Sequence, residues 1–314
     1  MSFTFAGIFV GAVCFRCMML VRPLGQPPYP LKRSLCELLP EGIRALHICS
    51  QTISEELPRV FRLGRGICYV PLQGKRLFID LNGSFDDYLS KFGSKTRETI
   101  RRKIRRFTQA CNSSVPCREF RDPREVAEFH CLANEVSRKT YQHRMLRAGI
   151  DTSPLFREEM VRSAIDNQLR GYVLFHQQMP IAYMLCQARC GDLVVEKMGF
   201  DPAFAAHSPG AVLLYLALQH LFAGKEFRRF DLGEGAYPYK EQMATGSIEV
   251  AEIYYFPTNF RNAVFVAMHS AVAGASSLLR SMLEAGGLLR GLKNMRHRGI
   301  GLGAARQRKF PGSK

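Results

Sequence analysis

The stretch from Gly171 to Lys240 constrains this chain most, because its elements follow one another in an order that few folds accommodate. Gly171 to Phe175 and Ile181 to Ala188 are apolar, β-compatible runs joined by a short polar link ending in Pro180, the pattern of a hairpin. The turn Cys190-Gly191-Asp192 feeds a third run, Leu193 to Phe200, so three antiparallel strands are expected in sequence. After Asp201-Pro202 and a loop of small residues, Ser208-Pro209-Gly210 opens an apolar helix from Ala211 to about Ala223. Ser208 suits its cap, Pro209 its first turn and Gly224 its end. A helix start leaves amide N–H groups unpaired, and at Gly210 no side chain keeps an anion such as pyrophosphate away from them. Phe227 to Leu232 then reads as a strand that delivers Asp231 to Gly233-Glu234-Gly235, Tyr237, Tyr239 and Lys240, and ligands of α/β sheets sit at such strand ends.

The segments ahead of this stretch supply its supporting layers. Gly66 to Pro71 and Arg76 to Leu81 read as two short strands around Gly74, and Ile43 to Ile48 as another. Ser84-x-x-Asp87 is a capping pattern that starts a short helix toward Phe92. In a second helix beginning after Ser94, Thr96, Ile100, Ile104 and Phe107 recur at helical spacing, while Arg97, Arg101, Arg102, Lys103, Arg105 and Arg106 fill the other faces. That cationic face has two readings: a solvated surface, or a wall that meets an anionic substrate, lipid phosphate or RNA. Asp122-Pro-Arg-Glu125 starts a helix toward Tyr141, and Ser153-Pro154 another toward Leu169. Ile248 to Phe256 closes the sheet.

The ends of the chain are less specific. Phe3 to Phe15 is an apolar run of thirteen residues, short of the roughly twenty that a bilayer-spanning helix needs, and is expected as a buried strand or helix. Gln26-Pro-Pro-Tyr-Pro30 reads as a linker and Lys32 to Leu39 as a helical segment. Ala263 to Leu292, apolar with small residues, is expected to form one or two helices that pack on the domain or lie on a membrane, followed by a basic, Gly-rich tail suited to anionic lipid. The expected division is therefore 1–76, 77–260 and 261–314.

Across its 314 residues, 46% apolar and 23% charged content describe a globular protein, whereas a formal net charge of +17 predicts anionic partners: nucleic acid, a membrane surface or phosphorylated metabolites. The ten cysteines have no repeated spacing, and Cys14-x-x-Cys17 lacks a second ligand pair, so no metal is expected and reduced thiols are. Of the eight histidines only His207 adjoins the Ser208 turn, and an ordinary loop histidine explains it.

Ser94-Lys-Thr-Arg97 with Arg101-Arg-Lys103 and Arg105-Arg106, Gly199-Phe-Asp-Pro202, Ser208-Pro-Gly210, and Asp231-Leu-Gly-Glu-Gly235 followed by Tyr239-Lys240 carry a resemblance over about Leu77 to Phe256. The chain resembles the GNAT-fold acyltransferases of the cellulose-biosynthesis type, whose relatives include the Fem aminoacyl transferases. The resemblance implies an α/β (α+β) fold with a central mixed sheet flanked by helices, a leading GNAT-like half present only in part, and acetyl-CoA or another acyl-CoA as co-substrate. It also implies an amine acceptor, such as a sugar or cell-envelope precursor. The reduced thiols point to the cytoplasm, and the C-terminal segment with its basic tail to peripheral contact at the inner membrane face. The usual GNAT pyrophosphate signature is absent, so Ser208-Pro-Gly210 stands in for it and the donor's identity is open. Aminoacyl-tRNA is the alternative donor, and a non-catalytic basic adaptor the alternative to an enzyme.

Acyl transfer to an amine requires a base for the amine, polarisation of the carbonyl and a proton for the departing thiolate. Backbone N–H groups beside Met198 and Phe200, with Ser208, Gly210 and Ala211, are the expected donor site. Glu196, Asp231 and Glu234 are the candidate bases. Glu196 shares a face with Val194 and Met198 in a regular strand, where an apolar cleft would raise its pKa; an exposed strand glutamate is the rival reading. Asp231 either acts as a base or braces the following turn. Tyr239 or Tyr237 is the expected proton donor, and Lys240, Glu234, Tyr237 and Arg101 the expected acceptor contacts, with Lys240 a point charge for phosphate or carboxylate. A surface lysine is the plain alternative for Lys240.

Overall fold

Two glutamines turn the central hairpin. In the computed structural model of the protein, Gln177 and Gln178 both have positive φ, the conformation of a two-residue turn that matches strand twist, and they join Leu169–His176 to Met179–Arg189. The residues described are 2–5, 8–12, 15–21, 39–111, 117–140, 149–233 and 238–285. In chain order the strands are β1 (Ser2–Phe5), β2 (Ile8–Ala12), β3 (Cys17–Val21), β4 (Ala45–Thr52), β5 (Val60–Leu63), β6 (Gly66–Asp80), β7 (Cys117–Phe120), β8 (Leu169–His176), β9 (Met179–Arg189), β10 (Asp192–Phe200), β11 (Arg229–Asp231) and β12 (Gly246–Pro257). The helices are α1 (Phe85–Ser90), α2 (Ser94–Ala110), α3 (Val126–Lys139), α4 (Pro154–Ile165), α5 (Pro209–Gly224), α6 (Pro238–Met243) and α7 (Phe260–Ala285). A 10-stranded mixed sheet runs β3-β4-β12-β6-β11-β10-β9-β8-β7 with β5 paired to β6, and β1 and β2 form a separate antiparallel pair.

Alternation along the hairpin explains the layers. Tyr172, Leu174, Ala182, Met184 and Cys186 point into a core shared with Leu213, Leu218 and Phe222 of α5 and Phe107 of α2. Val173, Tyr183 and Leu185 point the other way, into a core with Phe129 and Val136 of α3 and Met160 of α4. Strands covered on both faces read as near-continuous apolar runs, and these do. Gly171 belongs to this packing: a Cβ there would stand 2.6 Å from the Phe129 ring, so only glycine lets α3 approach so closely.

Several expectations hold in detail. Ser84 and Asp87 form the reciprocal capping box of α1. The α2 stripe meets the core through Ile100 and Ile104, with Phe107 fully buried. Asp122 accepts from the Arg124 amide ahead of α3, and Ser153 caps α4.

Others change. Gly66 to Asp80 is one continuous strand rather than two, because β12 pairs with it along its whole length and carries it through Gly74. α4 stops at Ile165, and Leu169 already lies in β8 paired with Gln187. Ser208 sits in the left-handed region with φ of 53° and gives α5 no side-chain cap; its carbonyl instead accepts from the Ala211 and Val212 amides. The left-handed residue at the far end of α5 is Lys225 rather than Gly224. The leading apolar run is a hairpin pairing Ser2 with Ala12 and Phe5 with Ile8. The linker at 26–30, most of the Lys32–Leu39 segment and the basic tail lie outside the described residues. No helix among the described residues is long and apolar enough to cross a membrane.

Candidate active site

The sheet opens at β10. Its parallel pairing with β11 covers only Asp192 to Val194 against Arg229 to Asp231, while β10 continues to Phe200 alongside β9. Among the described residues, no strand pairs with the β11-facing side of β10 beyond Val194. Past that point Glu196 is an extra residue: Val195 pairs with Cys186 and Lys197 with Leu185, so a bulge resets the side-chain alternation.

Beside the opening lies a cavity of about 440 Å³, within the size range of small-molecule sites. β10 lines it through Val194, Val195, Glu196, Lys197 and Met198, and Leu232, Gly233, Tyr239 and Lys240 close the opposite side. Arg76, Arg189, Lys197 and Lys240 face it, against one carboxylate among the described residues, Glu196. Glu196 is held by Arg189 at 2.6 Å. Lys240 is only 7% exposed and its Nζ lies 3.5 Å from the Gly233 carbonyl. The excess of cations favours an anionic ligand, most strongly beside buried Arg76 and Lys240, where charge is least screened by water.

Asp231 anchors the end of β11. Its Oδ2 accepts from Arg76 Nε at 2.7 Å and its Oδ1 from the Gly233 amide at 2.9 Å, and the side chain is wholly buried. Burial pushes the Asp231 carboxyl above the usual carboxylate value, against the pull of the Arg76 guanidinium and the Gly233 amide. Gly233 has φ of +73°, and a Cβ there would stand 2.6 Å from the Val195 carbonyl oxygen, so the turn after β11 rests directly on the β10 bulge. Arg76 also donates to the Ser50 hydroxyl, and Ser50 in turn donates its amide to Glu252 at 2.6 Å. This buried network ties β4 and β12 to the turn that places Lys240.

Residues 94–241 match the family model of the acetyltransferase (GNAT) domain. That matched segment, just under half of the chain, is a GNAT acetyltransferase-type domain. Its fold is GNAT-like, a central mixed sheet flanked by helices. Among solved structures the chain is similar to the C-terminal domain of a putative lysylphosphatidylglycerol synthetase from Agrobacterium fabrum, at 14% identity and a TM-score of 0.48 with 74% of each chain covered. It is also similar to FemX, at 9% identity and a TM-score of 0.45 over 73% of this chain and 75% of that one. A GCN5-related N-acetyltransferase from Kribbella flavida aligns at 10% identity and a TM-score of 0.36 over 68% of each chain. No curated protein matches the chain significantly.

Within the GNAT domain the residues expected at the site divide into three groups. Glu196, Met198, Tyr239 and Lys240 line the cavity. Phe200 and Gly210 adjoin it: a Cβ on Gly210 would lie 3.5 Å from both Met198 Cε and Phe200 Cδ1, an ordinary contact. The remaining residues stand elsewhere. Asp231 is walled off behind Arg76 and the Gly233 turn. Ser208 and Ala211 do not line the cavity, and the Ala211 amide is committed to the Ser208 carbonyl at 3.0 Å, which leaves the helix mouth fewer donors than a bare helix start. Arg101 lies on the exposed face of α2, and no α2 residue lines the cavity, so that helix is not a wall of it. Glu196 meets Arg189 rather than an apolar cleft, and the bulge sets Val194 opposite Gln187 and Met198 opposite Met184, so those two no longer share a face. Glu234 and Tyr237 lie outside the described residues.

Sequence reasoning missed Arg76, Ser50, Arg189 and Lys197. Arg76 carried a signal, the second of two adjacent cations, Lys75 and Arg76, and the one that directly abuts the apolar run Leu77-Phe78-Ile79. Its partner Asp231 lies 155 residues away, which local pattern cannot supply.

Proposed function

We propose that the GNAT domain is an N-acyltransferase that moves an acyl group, acetyl in the first instance, from acyl-CoA to an amine of a sugar or cell-envelope precursor, as its resemblance to the cellulose-biosynthesis type suggests. One observation carries this reading: the pairing of β10 with β11 ends beside a cation-rich cavity that is lined both by Val194 to Met198 of β10 and by buried Lys240. The bound donor supplies a carboxyl activated as a thioester. The β11-facing backbone of 195–200 would bind and orient that group by hydrogen bonding to its carbonyl, and Lys197 and Lys240 would hold anionic parts of donor or acceptor. Glu196 would take the proton from the attacking amine, with Arg189 fixing its orientation, and Tyr239, 48% exposed at the cavity edge, would give a proton to the departing thiolate. Asp231 serves as a positioning residue for the Gly233 turn. The site would work in the cytoplasm, with the C-terminal helix near the inner face of the membrane.

A second reading has an observation of its own. The outward face of α2 carries exposed Arg101, Arg102, Arg105 and Arg106, which suits a polyanionic donor such as aminoacyl-tRNA.

Isothermal titration and thermal melts with a series of acyl-CoA thioesters test the first reading. A ligand at one hundred times its dissociation constant adds about 2.7 kcal/mol of stability. Stabilisation by acetyl-CoA should disappear in Gly210→Asp, which fits sterically but sets a negative charge at the donor's entry, and weaken at least tenfold in affinity in Lys240→Met. Stabilisation by tRNA, reversed by alanines at Arg101 and Arg105, with no response to any acyl-CoA, would replace the first reading with the second.

A further inference from the structure

A second cluster of reactive side chains borders the cavity on the side of β3 and β4. On β4, His47 and Cys49 are two residues apart and share a face. The pairing of β4 with β12 passes from Ile48–Ile253 to Gln51–Ala251, so Cys49 and Ser50 together oppose the single residue Glu252. This is a bulge, with Ser50 at a positive φ of 51°, and bulges re-aim side chains. Here the bulge brings a thiol, an imidazole and a carboxylate together: one ligand atom from each of His47, Cys49 and Glu252 lies within 4.8 Å of the others. All three are largely buried, with side-chain exposures of 14% for His47 and 13% for Glu252 and a residue exposure of 8% for Cys49.

We propose that His47, Cys49 and Glu252 form a zinc site. The three ligand atoms, one each of nitrogen, sulfur and oxygen, lie close enough together to share one cation. Cys49 Sγ lies 3.5 Å from His47 Nδ1 and 3.7 Å from Nε2, and Nε2 is the nitrogen that meets Glu252 Oε2 at 2.7 Å. The sulfur thus lies beside the ring, slightly nearer Nδ1 than the Nε2 that the carboxylate holds. Zinc bonds of about 2.3 Å to sulfur and 2.0–2.1 Å to nitrogen, at a tetrahedral angle, place sulfur and nitrogen about 3.6 Å apart. The 3.7 Å from Cys49 Sγ to Nε2 is close to this, a turn of the Cys49 side chain has to carry the sulfur from beside the ring to beyond Nε2, and the His47–Glu252 contact needs to widen to about 3.3 Å once the metal displaces the proton between them. Outer contacts orient the set. Glu252 Oε1 accepts from the Ser50 amide at 2.6 Å and its hydroxyl at 3.3 Å, and the His47 ring stacks on Tyr254 with centroids 4.0 Å apart. The nearest cation on the network, Arg76, is matched by Asp231, so the thiolate and carboxylate give the site the negative charge a divalent cation requires. Cys49 and Ser50 line the cavity, which leaves room for water as a fourth ligand, the arrangement of zinc sites that keep one position open.

The assignment stands apart from the acyl-transfer reading. Its test uses the full chain stripped of metal and titrated with zinc against a chromophoric chelator. One equivalent of zinc per chain is expected, with affinity at least 100-fold weaker in Cys49→Ser and in His47→Gln. Cobalt in place of zinc should give a thiolate charge-transfer band in the near ultraviolet that Cys49→Ser abolishes. In the unmodified protein, zinc should slow alkylation of Cys49, read by peptide mapping, which avoids any variant that fails to fold. Zinc binding that is equal in the wild type and both variants, or alkylation of Cys49 that zinc leaves unchanged, would overturn the site.

Discussion

Replacing Asp231 should be among the most damaging single changes outside the apolar core. The carboxylate is fully buried, its partner Arg76 is 9% exposed, and the two meet at 2.7 Å, while the other carboxylate oxygen holds the Gly233 amide at 2.9 Å. Removing one member of such a pair leaves a guanidinium in a place that water barely reaches, a loss of about 3–5 kcal/mol. Asp231→Ala also strips the Gly233 amide of its acceptor, so it belongs at the upper end. Asp231→Asn keeps one oxygen for that amide and recovers about 1 kcal/mol. The double variant Arg76→Met with Asp231→Leu removes both charges and should return to within about 1 kcal/mol of the wild type, since apolar replacements of buried pairs are often neutral. The chain has no tryptophan, so urea unfolding is best followed by far-ultraviolet circular dichroism. A double-mutant cycle on these curves should show a coupling of at least about 5 kcal/mol, the two single losses less that of the double. Losses below about 1 kcal/mol in the single variants, or strict additivity in the double, would refute the claim that this pair anchors the end of β11.

Three further outcomes follow from the same geometry. Gly233→Ala should cost about 2 kcal/mol or more, because the residue sits at φ of +73° and its new Cβ would meet the Val195 carbonyl at 2.6 Å; an unchanged melting temperature would count against the contact between the turn and the bulge. Burial pushes the thiols of Cys68 and Cys117 up to about 12, with Glu119 adding to the effect at Cys117, so iodoacetamide at neutral pH should label exposed Cys131 and Cys190 first; early labelling of Cys68 in the folded protein would contradict its burial. Because burial raises the Asp231 pKa in the folded chain, the folded state holds a proton there that the unfolded chain, with an ordinary value near 3.8, has already released. The contribution of Asp231 to stability therefore grows as pH falls through the raised value and levels off below 3.8. Unfolding free energies of the wild type minus those of Asp231→Asn should rise toward acid across that window, and a falling difference would show that the Arg76 pairing outweighs desolvation.

What the sequence displayed was whatever depends on neighbours close along the chain. The Ser84–Asp87 box, the Ile100, Ile104 and Phe107 stripe, and the hairpin strands are written in spacings of two, three and four residues, and the fold contains them. The cavity is assembled differently. Glu196 faces Arg189 because β10 bulges against β9, Cys49 and Ser50 turn toward Glu252 because β4 bulges against β12, and Arg76 meets Asp231 because β6 and β11 are sheet neighbours. Each depends on the register of a partner strand, and register slips of one residue reverse every side chain that follows. That is why regular alternation put Glu196 beside Met198 and missed the real arrangement, whereas Lys240, defined by its position just after a glycine-rich turn, lies buried at the cavity. Ser208 fails for a related reason: its left-handed backbone turns the side chain from the helix end and offers the carbonyl instead, a choice imposed by the preceding turn 202–207 that residue type alone does not reveal. Chemistry that depends on a bulge becomes visible only once both strands are in place, and in this protein both the cavity beside β10 and the thiol cluster next to it are built on bulges.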